Sequence, residues 1–186
     1  MKIALITGAS QGIGSAIAKE LNQKKIKVIL VARSKVKLKK IQNSLKFPKN
    51  SMIISKDLRS LSACNSIGAK IKKLNYLINV AGATKGGSFL KLKDNVWDDG
   101  FNLKFKAAVR LSRNFWKTLR RNKGKVINIG GGAARNPSHT FMIGGAVNSA
   151  LNNFSRALAM QGKIDKVSVS IIHPGMTLTS RLKKLL

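Results

Sequence analysis

"KIALITGASQGIGSAIAKELNQK", residues 2–24, decides the fold. It opens with "KIALIT", a short β-branched and apolar run that glycines end, which predicts a buried strand. "GIGSAIAKELNQK" follows, with Ile13, Ile17, Ala18 and Leu21 at helical spacing. A strand feeding a helix through a glycine turn is the first half of a βαβ unit.

The same alternation continues outward. "KVILVA" predicts a second strand, residues 35–45 a helix, and "SMIIS" a third strand. Residues 60–73 predict a short helix, and "NYLINVAG" a fourth strand running into a turn. The segment from Asn95 reads as one long helix, about 95–122, with Gly124 as its stop signal. "KVINIG" predicts a fifth strand, residues 142–162 a further helix, and "KVSVSIIHPG" a sixth strand. Near-continuous apolar strands alternating with helices imply an α/β fold, a parallel sheet covered on both faces. Right-handed crossovers favour the Rossmann-type, doubly wound order 3-2-1-4-5-6, with residues 1–186 as a single domain.

Composition narrows the class. The chain has 186 residues and is 44% hydrophobic, enough for a real core. No apolar run reaches the length of a membrane span, and the first ten residues meet glycine too early for a secretory signal. The single Cys64 excludes an internal disulfide framework and fits a reducing cytoplasm. Two distant histidines give no metal-ligand cluster. The net charge of +30 is attractive to any anion. Its bases are dispersed, however, and clusters such as "KVKLKK" (35–40) have the spacing of a solvated amphipathic face.

"TGASQGIG" (7–14) is the first chemical motif. Gly8 permits the tight turn, Gly12 lets backbone approach a pyrophosphate, and Gly14 allows close helix–strand packing. The helix N-terminus at Ile13 then offers backbone N–H groups to phosphate, with Ser10 and Gln11 adding side-chain donors. The T-G-x-x-x-G-x-G spacing, "NVAG" (79–82) and "PGMTLT" (174–179) together resemble the short-chain dehydrogenase/reductase family. The match runs in order over nearly the whole chain.

The resemblance implies a nicotinamide dinucleotide. Where an acidic residue would bind the ribose hydroxyls of NAD, the second strand ends in Ala32 and Arg33, which implies NADP(H) with Arg33 against the 2′-phosphate and Ser34 beside it. Asp57 and Leu58 match positions bordering the adenine, and Asn79, Ala81 and Gly82 match positions along the adenosine ribose. Pro174, Gly175 and Thr179 match the turn on the nicotinamide side.

The family's catalytic serine, tyrosine and lysine are missing. Counting back from Pro174, and reading "AL–NNFSRALA" in register, puts Gly131, Gly144 and Asn148 at those three positions. Asn102, in "GFNLKF", keeps its family identity as the catalytic asparagine of a proton relay, and Asn148 retains the capacity to hydrogen-bond the nicotinamide ribose. Tyr76 begins the fourth strand, on the far side of the turn, and His139 is an unsupported loop histidine. The chain also stops soon after the P-G-x-x-x-T turn, which implies a reduced substrate-covering segment and no seventh strand.

Three functions therefore stay open: an NADP(H)-dependent oxidoreductase with an altered site, a non-catalytic NADP(H)-binding module, and an anionic-surface binder acting through net charge. The third lacks any nucleic-acid recognition motif, and no membrane partner is expected. The resemblance also implies a homodimer through residues 95–122 and 142–162, where Phe101, Phe105, Val109, Phe115 and Trp116 cluster.

Overall fold

The computed structural model describes residues 1–175 and 177–179. Its six described strands form one parallel sheet: β1 (Ile3–Thr7), β2 (Lys27–Ala32), β3 (Ser51–Ser55), β4 (Tyr76–Asn79), β5 (Lys125–Ile129) and β6 (Ser168–Ile172). Their order is β3-β2-β1-β4-β5-β6, as the right-handed alternation predicts. Met176 and residues 180–186 lie outside the described residues, and with them the reading of a shortened substrate-covering segment.

Strand periodicity distributes the core over both faces. Leu5, Ile29, Val31, Leu77 and Val126 point to one side, where they meet Ile67 of α3 (Leu61–Lys70) and Leu111, Phe115 and Leu119 of α5 (Ala107–Arg121). Ile6, Val28, Leu30 and Ile78 point to the other, against Ala18 of α1 (Gly12–Gln23) and Leu38 of α2 (Lys35–Asn43). Neither sheet face is left to water, which is why the strands read as continuous rather than alternating. A polar chain crosses the interior: Asn79 Nδ2 donates to Asn128 Oδ1 (2.8 Å), and Asn128 Nδ2 donates to Ser155 Oγ (2.8 Å).

The helix expected over 95–122 is not uniform. It runs as α4 (Asp94–Gly100), a π-turn over Phe101–Lys106, and α5. Nor is Gly124 its left-handed cap. That conformation falls on Lys123 (φ 46), while a side chain on Gly124 would lie 2.7 Å from Asn75 O and from Leu119. Packing, not backbone torsion, requires the glycine. The helix expected over 60–73 ends at Lys70, and the one expected over 142–162 continues as α6 (Met142–Asp165). Among the described residues, no helix is long and apolar enough to cross a membrane.

Candidate dinucleotide site

The glycine turn sits where the sheet order reverses, between β1 and the C-terminal ends of β2 and β4. Thr7 Oγ1 accepts from Val80 N (2.9 Å) and Ala81 N (3.0 Å), so the turns after β1 and β4 are tied together. Gly8 (φ 65) and Gly12 (φ 54) both occupy the left-handed region. A side chain at position 8 would lie 3.0 Å from the Ala81 backbone, and one at Gly14 would strike the Gly8 carbonyl. These glycines bring three backbone segments closer than any other residue permits.

Gln11 precedes α1 in extended backbone and offers its first turn no side-chain cap. The helix therefore presents its first amide donors, and the positive end of its dipole, to the cavity in front. That cavity measures about 370 Å³. Gly8, Ser10, Gln11, Gly12, Ile13 and Gly14 form its floor, and Arg33, Leu58, Ala81, Gly82, Pro174 and Thr179 stand around it. Thr179 also lies over the turn, with its methyl 3.4 Å from where a Gly12 side chain would begin. Two motifs about 165 residues apart in sequence thus meet in space. A concave floor of amide donors and a nearby cation fit a pyrophosphate ligand.

The remaining sequence candidates lie outside the cavity wall. Asp57 holds Arg59, accepting from its backbone N (3.0 Å) and from Nη1 (3.3 Å). Arg59 in turn binds both carboxylate oxygens of Asp99, joining the β3–α3 loop to α4. The Asp99 hydrogen bond raises the guanidinium above its ordinary value, and the same bond holds the Asp99 carboxyl below the usual carboxylate range. Asn79 is buried in the β4–β5 polar chain rather than facing a ribose. Gly175 is exposed beyond β6, and Asn102 is half-buried in the π-turn.

Around the substrate position the three replacements form a packed unit. Phe141 places its ring over Gly144, inside the volume that a side chain there would need. The ring edge also lies 3.6 Å from a side chain position on Gly86. Asn148 is only 4% exposed, and its amide points at Gly131, with Nδ2 2.9 Å from where a Gly131 side chain would start. Its Oδ1 is buried with no hydrogen-bond partner among the described residues. Tyr76 stacks near Lys2, at the opposite end of its strand from the cavity, and His139 is exposed.

Four residues escaped the sequence reading. Lys37 and Lys56 join Arg33 on the cavity wall, at the ends of β2 and β3. Lys104 faces the same cavity from the π-turn and donates to Gly130 O (3.1 Å). His173 bridges the β5 end to α6: with its proton on Nε2 it donates to Asn152 Oδ1 (3.1 Å), while Nδ1 accepts from Gly131 N (3.2 Å). The three lysines were hidden by number among 36 basic residues. His173 had a signal, since it directly precedes the P-G motif.

The model of the short chain dehydrogenase family matches residues 2–186. The chain belongs to that family. It is 32% identical to a 3-oxoacyl-(acyl-carrier-protein) reductase of Rickettsia typhi, over 99% of this chain and 76% of the relative. It is 29% identical to 2,3-dihydro-2,3-dihydroxybenzoate dehydrogenase of Bacillus subtilis, over 96% of this chain and 70% of the relative. Among solved structures it resembles L-sorbose reductase of Gluconobacter frateurii, complexed with NADPH and L-sorbose. That match has TM-score 0.90 and 29% identity over 97% of this chain and 71% of the other. A metagenomic short-chain oxidoreductase in complex with NADP gives TM-score 0.88 and 29% identity over 95% of this chain and 82% of the other.

Proposed function

We propose that this member of the short-chain dehydrogenase/reductase family binds NADP(H) and does not perform the tyrosine-dependent proton transfer implied by its family resemblance. One observation carries the reading: an uncapped helix N-terminus above a glycine turn, with Arg33, Lys37 and Lys56 and no carboxylate at position 32 on the adenosine side. The pyrophosphate would lie against the amides of the 7–14 turn, and a 2′-phosphate against the three cations. Complexes of NADPH or NADP with structurally similar proteins support the choice.

When bound, NADPH supplies a hydride. The chain's own groups must supply the matching proton, and Gly131, Gly144 and Asn148 offer no hydroxyl, phenol or ammonium. The oxidoreductase reading thus rests on ancestry, and the binding-module reading on the chemistry of the site.

Calorimetric titration with NADPH and NADH tests the reading. Micromolar NADPH binding, weaker NADH binding and no NADPH oxidation across a carbonyl panel are expected. No heat with either nucleotide would remove the proposal.

The same reading takes residues 1–186 as one domain acting in a reducing cytoplasm, where buried Cys64 stays a thiol. It also takes the protein as a homodimer. A groove of about 410 Å³ between α5 and α6, with Trp116, Phe154 and Leu158 on its walls, supports association through these helices. Sedimentation velocity at micromolar concentration should give a dimer mass.

A further inference from the structure

Position 148 has lost the lysine that the family resemblance implies, yet the same end of the cavity still holds a cation, delivered from a different helix. Lys104 stands in the π-turn Phe101–Lys106. Its stem lies flat across Gly82: a side chain on Gly82 would come 2.8 Å from Lys104 Cδ and 3.1 Å from Cγ. Its ammonium reaches Gly130 O at 3.1 Å, one residue before the serine position and at the end of β5. Asn148, by contrast, is buried behind Gly131 and is not part of the wall. An ammonium carries three donors, so one bond to a carbonyl leaves it chemically able to serve a ligand as well.

The cavity's cations thus occupy two poles. Arg33 and Lys56 follow β2 and β3, whereas Lys104 reaches the end of β5. In the order β3-β2-β1-β4-β5, β2 and β5 are three strand spacings apart, about 14 Å. The glycine turn lies between them, after β1. An elongated ligand with anionic or hydroxylated groups at both ends and phosphates in the middle matches this spacing.

We infer that Lys104 takes over the ribose-anchoring task of the lost lysine, holding the sugar of the ligand's second nucleotide half from α5's side of the site rather than α6's. This rests on the proposal that the cavity binds NADP(H).

The test compares NADPH with 2′,5′-ADP, which lacks the second nucleotide half, on the parent, Lys104→Met and Lys104→Gln. A hydrogen bond to a charged group corresponds to roughly tenfold or more in affinity. Lys104→Met is therefore expected to lose about tenfold for NADPH and less than twofold for 2′,5′-ADP, with Lys104→Arg restoring most of the loss. Should Lys104→Met fold poorly, Lys104→Gln keeps the stem and removes only the charge, and the same split is expected. An equal loss for both ligands, or none for NADPH, overturns the inference while leaving NADP(H) binding intact. If the parent binds neither ligand, the underlying proposal fails instead.

Discussion

The ring of Phe141 fills the space above Gly144 into which a side chain at that position would project. Glycine at 144 is therefore more than a lost tyrosine; it is the socket that lets the loop's aromatic ring close over α6. Asn148 and Gly131 stand in a similar relation one turn along, the buried amide filling the place of a serine side chain.

Restoring the family residues should consequently fail on packing. Gly144→Tyr with Asn148→Lys is expected to lose about 1–3 kcal/mol of stability, the usual cost of overfilling a packed site. Adding Phe141→Ala should recover a substantial part of it. Urea denaturation of the parent, the double and the triple variant measures this as a non-additive cycle. Equal losses with and without Phe141 would show that the ring is not the obstruction.

Arg33, Lys37 and Lys56 form a cation cluster facing one side of the cavity. Arg33→Ala should weaken NADPH binding about tenfold and leave NADH within about twofold, since only NADPH carries the 2′-phosphate. The NADPH affinity should also fall more steeply with salt than that of NADH. Fluorescence titrations at two ionic strengths decide both points.

The Arg59–Asp99 pair predicts a pH signature. Its hydrogen bond lowers the Asp99 carboxyl in the folded chain, so the pair stabilises above the unfolded carboxylate's range. That contribution is lost as pH falls through the lower, folded value. With Asp99 45% exposed, screening limits it to about 0.2–1 kcal/mol. Asp99→Asn should therefore cost this much at pH 7 and progressively less below about pH 4. Thermal melts across that interval give the difference directly; a difference that grows on acidification would contradict the assignment.

Three helix ends place lysine in the left-handed region: Lys25 (φ 60), Lys123 (φ 46) and Lys166 (φ 58). A side chain there costs about 1 kcal/mol, which glycine avoids. Lys123→Gly should raise stability by up to that amount in chemical denaturation. Loss of the favourable charge at the α5 C-terminus subtracts a few tenths of a kcal/mol from the gain.

Much of the fold was readable because local signals agreed with one another. Continuous apolar strands, glycine punctuation and helical spacing all indicated one parallel order, and the sheet has that order. What escaped was set by packing rather than pattern. A π-turn inside "GFNLKF" has no compositional mark, and Gly124 resembles a cap although Leu119 and Asn75 are what demand it. In the site, Gly8, Gly12 and Gly14 were legible because their backbone needs are intrinsic. Asn79 was not, because its amide has two directions to face and the interior chain to Asn128 claims it. Lys104 was invisible because one lysine among many carries no signal until the backbone aims it.

The π-turn between α4 and α5 also works as a phase shifter. One residue subtends about 100° of an α-helix, so the extra residue lets the segment up to Lys104 serve the cavity while Leu111, Phe115 and Leu119 keep their own angular register beneath the sheet. Deleting a single residue there would swing Asp94–Gly100 around the barrel of the helix by that angle. The interior would scarcely notice, but the ligand side would be turned away.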